Sequence, residues 1–179
     1  MRWPAWVERK YNGVRCVIVI DGDGARAISR EGLPLAAGQF AADWIAARGV
    51  RGLVDGELVG VTFRRTLSAI KRNDPEYLRF KAWDHLTPEE LAAGRSDRPL
   101  AERRAGLVAL MPEPSADAIQ GPVDLVSGCY VADDAALECA YRDAMRRRWE
   151  GLVVKDPSAP YVCETRSRGW RRCKPGEGA

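Results

Sequence analysis

A hairpin near the N-terminus is the strongest constraint in the sequence. Val14 to Ile20 is almost continuously apolar, Asp21-Gly22-Asp23-Gly24 supplies a tight turn, and Ala25 to Arg30 reads as the returning strand. A pair joined this closely is antiparallel, so the fold must be built on an antiparallel sheet. The following elements do not alternate strictly between strand and helix. Ala36 to Arg48 predicts a helix with Phe40, Trp44 and Ile45 on one side and Gly49 ending it. Leu53 to Val59 predicts a strand that carries two carboxylates, Asp55 and Glu57. Thr62 caps a predicted helix to about Arg72, with Phe63, Leu67 and Ile70 at helical spacing. Tyr77 to Leu86 alternates as a strand, with Leu78, Phe80, Ala82 and Asp84 on one face. Further on, Thr87 to Pro99 and Pro112 to Pro122 read as loops, and Leu100 to Leu110 as a helix. Val123 to Val131 reads as one strand, and Asp133 or Asp134 opens a helix to about Arg148. Gly151 to Lys155 and Gly169 to Lys174 read as closing strands. Short strands and helices in this order indicate an α+β fold of antiparallel sheets flanked by helices.

The 179 residues suit one domain with a sizeable core. No apolar run is long enough to cross a bilayer, and Met1 to Trp6 lacks the apolar stretch of a signal peptide. Five cysteines (Cys16, Cys129, Cys139, Cys163, Cys173) form no C-x-x-C pair, and His85 is the only histidine. A zinc site or disulfide framework is therefore not expected, and a reducing cytoplasm is the simplest setting. Net charge is +3 but uneven: Arg142 to Lys174 holds ten Lys/Arg against four acids. On charge alone, a polyanion partner and a solvated arginine-rich face fit that segment equally well.

Six short segments carry side chains suited to phosphate chemistry. They are Lys10-Tyr11-Asn12-Gly13-Val14-Arg15, Ser29-Arg30-Glu31-Gly32, Asp55-Gly56-Glu57, Phe80 to Leu86, Glu150-Gly151-Leu152-Val153-Val154-Lys155, and Trp170-Arg171-Arg172-Cys173-Lys174. Each alone is a weak signal. In this order they resemble the motifs of the covalent nucleotidyltransferases: K-x-D-G-x-R, S-R-x-G, D-G-E, the aromatic-Asp motif, E-G-x-x-x-K and W-x-K-x-K. The resemblance runs from Glu8 to Pro175 and is nearest to the adenylation domain of small ATP-dependent DNA ligases. It implies the DNA ligase and mRNA capping enzyme nucleotidyltransferase fold, ATP-grasp-like, with a site between two antiparallel sheets. It also implies ATP and Mg²⁺ as cofactors, nicked duplex DNA as partner, and a soluble, cytoplasmic, monomeric enzyme.

The resemblance further implies residue roles. Lys10 is the nucleophile that takes AMP from ATP before passing it to a DNA 5′-phosphate. Its amine must be neutral to attack, while a free lysine has a pKa of about 10.4. Cations and a metal crowding it lower that value and stabilise charge on the phosphate, a task for Arg15, Arg172 and Lys174. Glu150 is the metal ligand, and Glu57 holds the ribose hydroxyls or a metal-bound water. Trp83 stacks on adenine, Glu8 accepts from its 6-amino group in preference to a guanine 6-oxo group, and Arg30 engages phosphate.

Taken one at a time, Asp55 and Glu57 read as strand-edge charges, Trp83, Cys16 and Cys173 as core, and Lys155 as an exposed strand end. Trp170 is balanced between packing under a sheet and lining the site. Two positions depart from the motifs. Asn12 stands where the family has Asp, losing a negative charge beside Lys10, and Arg172 replaces a lysine. A third departure is that 1–175 spans the adenylation domain, whereas 176–179 read as the start of a hinge to a missing OB-fold domain. Adenylylation by the chain alone is therefore expected to be slow. An RNA ligase and a non-catalytic nick- or end-binding module are the alternatives. The intact Lys10, Glu57 and Glu150 argue against the second.

Overall fold

The computed structural model describes residues 2–110, 121–163, 165 and 169–175. Arg166, Arg168 and the expected hinge at 176–179 lie outside the described residues, as does most of the 112–122 loop. The hairpin forms as expected, with β2 (Val14–Asp21) paired to β3 (Gly24–Ser29). On its other side β2 pairs with β4 (Gly52–Val59), which pairs with β5 (Arg79–Leu86); all three pairings are antiparallel. A short parallel edge strand, β7 (Val123–Leu125), completes a five-stranded sheet in the order β3-β2-β4-β5-β7.

A second sheet is antiparallel throughout, in the order β11-β9-β1-β8. Its strands are β1 (Ala5–Arg9), β8 (Gly128–Val131), β9 (Leu152–Lys155) and β11 (Trp170–Cys173). The single strand expected over Val123 to Val131 is thus two strands in different sheets, parted at Val126 and Ser127. Val126 is buried there, so the apolar run continues through the break and hides it.

Helices close the outer faces because the strands alternate. In the five-stranded sheet Cys16, Ile18, Ile20, Val54, Leu58, Phe80 and Ala82 join one cluster with Ala41, Ala42 and Ile45 of α1 (Gln39–Ala46). In the second sheet Ala5, Val7, Leu152, Val154 and Cys173 pack with Ala144 of α5 (Asp134–Arg146). The opposite faces turn toward each other. Val17, Val19, Leu53 and Leu86 of the first sheet meet Tyr161, from the short strand β10 (Tyr161–Val162), and Trp170 of the second.

Caps fix the helix starts. The Thr62 hydroxyl accepts from Arg65 N at 3.2 Å, opening α2 (Phe63–Arg72), and Asp133 accepts from Ala136 N at 2.8 Å to open α5. The expected loop from Thr87 to Pro99 contains α3 (Pro88–Ala92), held by a reciprocal Thr87–Glu90 capping box, and the two-residue strand β6 (Arg95–Ser96). A further helix, α4 (Leu100–Leu110), follows as expected.

Candidate active site

The chain crosses from one sheet to the other between β1 and β2, and Lys10 sits in that crossing. Two glycines make it possible. A Cβ on Gly13 would lie 2.2 Å from the Leu58 carbonyl, and one on Gly151 2.1 Å from the Cys173 carbonyl, where φ is +150°. Gly151 O also accepts from Lys10 N at 2.9 Å, and Gly13 N donates to Glu57 Oε1 at 2.8 Å. The crossing is therefore pinned to both sheets by backbone contacts that only glycine allows.

Lys10 Nζ lies 2.7 Å from Glu150 Oε2, and Lys174 Nζ lies 2.8 Å from Glu150 Oε1. One carboxylate thus bridges two ammonium groups. Burial alone would raise the pKa of Glu150; the hydrogen bonds from Lys10 and Lys174 outweigh it and hold Glu150 below its ordinary value. The arrangement brings three residues from distant parts of the sequence within one bonded cluster.

Beside Lys10 opens a cleft of about 390 Å³ between the inner faces of the sheets. Strand register decides what lines it. Across the second sheet Glu8, Val153 and Arg172 stand in one row, and across the first Arg15 stands opposite Glu57. All five line the cleft, with Lys10, Arg30, Trp83, Tyr161 and Trp170. Burial pushes Glu57 up to about 7, against the hydrogen bond from Gly13 and the charge of Lys10. Arg15 faces the cleft but is already paired: Nε and Nη2 donate to the two oxygens of Asp55 at 3.0 and 2.9 Å. The Tyr161 hydroxyl donates to Asp55 at 2.8 Å and accepts from Arg15 at 3.1 Å. Asp55, fully buried, is thus the anchor of Arg15 rather than a strand-edge charge.

The far end of the cleft is shaped by a bulge. Register along β4 and β5 shifts between Asp55 and Gly56: Asp55 pairs with Asp84 and Gly56 with Ala82, leaving Trp83 as the extra residue. Beyond the bulge Asp84 and Leu86 share the inner face with Asp55 and Leu53, so Asp84 does not continue the Leu78-Phe80-Ala82 face. Asp84 is instead gripped by Arg103 of α4, Nε to Oδ1 at 2.8 Å and Nη2 to Oδ2 at 3.1 Å, both residues being fully buried.

Glu8, 4% exposed, sits among cations: Lys155 Nζ at 2.5 Å from Oε1 and Arg104 Nη1 at 3.8 Å from Oε2, with Trp6 Nε1 donating to Oε2 at 3.0 Å. Lys155 is fully buried, lies 4.1 Å from the Trp170 ring centroid, and is not an exposed strand end. Its charge is therefore not available to a polyanion. Arg142, Arg146, Arg147, Arg148, Arg171 and Arg172 do remain exposed.

The structure therefore gathers Glu8, Lys10, Arg15, Arg30, Glu57, Trp83 and Arg172 around one cleft, and brings Glu150 and Lys174 to Lys10 from its flank. Tyr161, Arg103 and Arg104 lie outside the motifs; the one sequence signal for them is the pair of arginines near the start of α4, between the buried Leu100 and Leu107. The cleft suits a nucleotide: aromatic and apolar walls at one end (Trp83, Val153, Trp170), cations at the other, and a Trp83 indole N–H that has no hydrogen-bond partner among the described residues. Among the described residues no three His, Cys, Asp or Glu side chains converge. The donor set thus fits only a metal held mainly by water and phosphate, with one or two carboxylates.

Residues 1–174 match the family model described as ATP dependent DNA ligase domain. A protein of Streptomyces avermitilis named "Probable DNA ligase" is 31% identical over 94% of this chain and 35% of its own length. A DNA ligase of Haloarcula marismortui is 28% identical over 96% of this chain and 32% of its own. The chain thus spans about a third of the curated relatives it matches. Among solved structures, the ATP-dependent DNA ligase of bacteriophage T7 in complex with ATP superposes with a TM-score of 0.77 at 20% identity, covering 97% of this chain and 62% of that one. Chlorella virus DNA ligase-adenylate gives 0.70 at 18% identity, with the same coverages. These two likenesses establish the fold, and the match over residues 1–174 establishes the lineage: the chain belongs to the ATP dependent DNA ligase domain family.

Proposed function

We propose that this chain is the adenylylating domain of an ATP-dependent DNA ligase, with Lys10 as nucleophile. The observation that carries the reading is the Lys10–Glu150–Lys174 cluster beside a nucleotide-sized cleft. Neutral Lys10 Nζ attacks the α-phosphorus of ATP; the N–P bond forms, the Pα–O–Pβ bond breaks, pyrophosphate leaves with the bonding pair, and the nitrogen releases one proton to water to give the phosphoramidate. A 5′-phosphate oxygen of nicked DNA then attacks the same phosphorus and Lys10 departs. Such transfers are accelerated chiefly by positioning and by charge on the transferring phosphate.

In the free protein Lys10 Nζ donates to Glu150 Oε2 at 2.7 Å, a contact that must be broken before attack. Mg²⁺, which neutralises phosphate charge, would be held by Glu150 and Glu57 with the nucleotide and water. Arg172, Arg30 and Lys174 supply cations along the phosphates. Arg15, its charge balanced by Asp55, serves as an oriented donor. Trp83 and Val153 frame the base, and Glu8 reads its amino edge.

The same reading assigns nicked duplex DNA as substrate and a cytoplasmic, monomeric state, with an OB-fold domain, in cis or in trans, as the clamp over the nucleotide. The test is transfer: protein charged with labelled AMP is mixed with nicked duplexes whose 5′-phosphate strand is DNA or RNA. Label should move to the DNA strand, faster when an OB-fold domain is supplied. Equal or preferred transfer to RNA would replace the reading with an RNA ligase, and a chain that cannot be charged at all would be left with end binding alone.

A further inference from the structure

α4 belongs to none of the motifs, yet its two arginines grip the two residues of the aromatic-Asp pair. Arg103 holds the Asp84 side chain, and Arg104 Nη1 donates to the main-chain carbonyl of Trp83 at 3.0 Å. That carbonyl belongs to the bulge residue, which the β4–β5 register leaves without a partner position. A buried carbonyl outside the ladder needs another donor, and Arg104 supplies it. The same guanidinium donates to the Val126 carbonyl where the chain passes from β7 toward β8. Its Nη1 stands 3.8 Å from Glu8 Oε2, and its carbon lies 4.9 Å from the ring centroid of Trp6. Trp6 in turn donates to that same Glu8 oxygen. Arg104 is 7% exposed, so these contacts form away from solvent.

We propose that Arg104 is a positioning residue that sets base selectivity. One buried guanidinium fixes both the indole of Trp83 and the carboxylate of Glu8, between which the purine is read. This rests on the nucleotide assignment made above. Arg104 does not touch the nucleotide. It holds Trp83 by its main chain and Glu8 by charge, and ties strands of both sheets to one rigid helix. Lysine cannot reproduce this, because a single ammonium cannot span the Trp83 and Val126 carbonyls in the fixed geometry of a guanidinium fork.

The test compares the wild-type chain with Arg104→Met and Arg104→Lys, each first checked for folding by circular dichroism. Single-turnover AMP and GMP attachment is measured against ATP and GTP concentration, alongside equilibrium dialysis of both nucleotides. In Arg104→Met the half-saturating ATP concentration should rise about tenfold, the scale of a buried carbonyl left without its charged donor. That rise should exceed the fall in rate at saturation, and the preference for ATP over GTP should narrow. Arg104→Lys should recover part of both. If the Met variant does not fold, the Lys variant carries the test, with the same shifts in reduced size. Folded variants with wild-type half-saturation and wild-type preference would overturn the inference. So would a loss of rate at saturation that is equal for both nucleotides, which would mark a merely structural role. Wild-type protein that neither binds nor attaches ATP would instead overturn the nucleotide assignment, and the inference with it.

Discussion

Removing the Tyr161 hydroxyl isolates the anchor that ties β10 to the five-stranded sheet. The ring is 4% exposed and packs with Val17, Val19, Leu53 and Leu86, so Tyr161→Phe leaves those contacts in place. What is lost is a 2.8 Å hydrogen bond to Asp55, a fully buried carboxylate, and a 3.1 Å bond accepted from Arg15. A hydrogen bond to a charged partner contributes about 1.5–3 kcal/mol. Asp55 keeps the two-point grip of Arg15, which places the cost toward the lower half, about 2 kcal/mol. For a chain of this size that is a fall in melting temperature of roughly 4–8 °C. Urea titration followed by tryptophan fluorescence should show the same loss as an earlier midpoint with an unchanged slope. A midpoint indistinguishable from wild type would mean that water or a relaxed Arg15 satisfies Asp55 as well as the phenol does. The hydroxyl would then be no anchor.

Glu57 should leave a pH signature. Its folded pKa, near 7, is above the unfolded carboxyl value, so between about pH 4.5 and 7 the native state holds more protons and stability falls as pH rises. Glu57→Gln should flatten that slope in pH-dependent melts; an identical slope would assign it to other groups. Gly13→Ala drives a Cβ to within 2.2 Å of the Leu58 carbonyl, and should destabilise the crossing around Lys10 severely, by several kcal/mol once backbone must shift; a wild-type melt would refute the close approach. Trp83→Ala should weaken ATP binding by about 1–3 kcal/mol, the scale of base–aromatic stacking. Unchanged affinity in dialysis would place the base elsewhere.

The sequence was most legible where one element carries a complete local signal. The β2–β3 hairpin, the Thr62 cap and the row of motif residues that reach the cleft all belong to this class. The Thr87–Glu90 capping box has an equally local signal, set within a polar stretch. β1 was also within reach: Ala5 and Val7 are buried on one side of a five-residue alternation. Other features are tertiary and have no local trace. A one-residue bulge turns Asp84 to the opposite face, and nothing in the alternation from Leu78 to Leu86 announces it. The break in Val123 to Val131 is hidden because Leu125 and Val126 keep it apolar up to the point of parting, and Val126 is buried. Lys155 reads as a strand-end charge until β1 places Glu8 on the neighbouring strand, 2.5 Å away. Tyr161 is separated from Asp55 by 106 residues, and only the packed fold shows that they meet.

The chemistry proposed for this chain comes down to a covalent bond between Lys10 and AMP. Intact mass spectrometry after incubation with ATP and Mg²⁺, followed by peptide mapping, tests it directly. A gain of one AMP is expected, acid-labile and base-stable as a phosphoramidate, on the peptide carrying Lys10 and absent in Lys10→Ala. An adduct on another residue, or none even with an OB-fold domain supplied, would contradict the account.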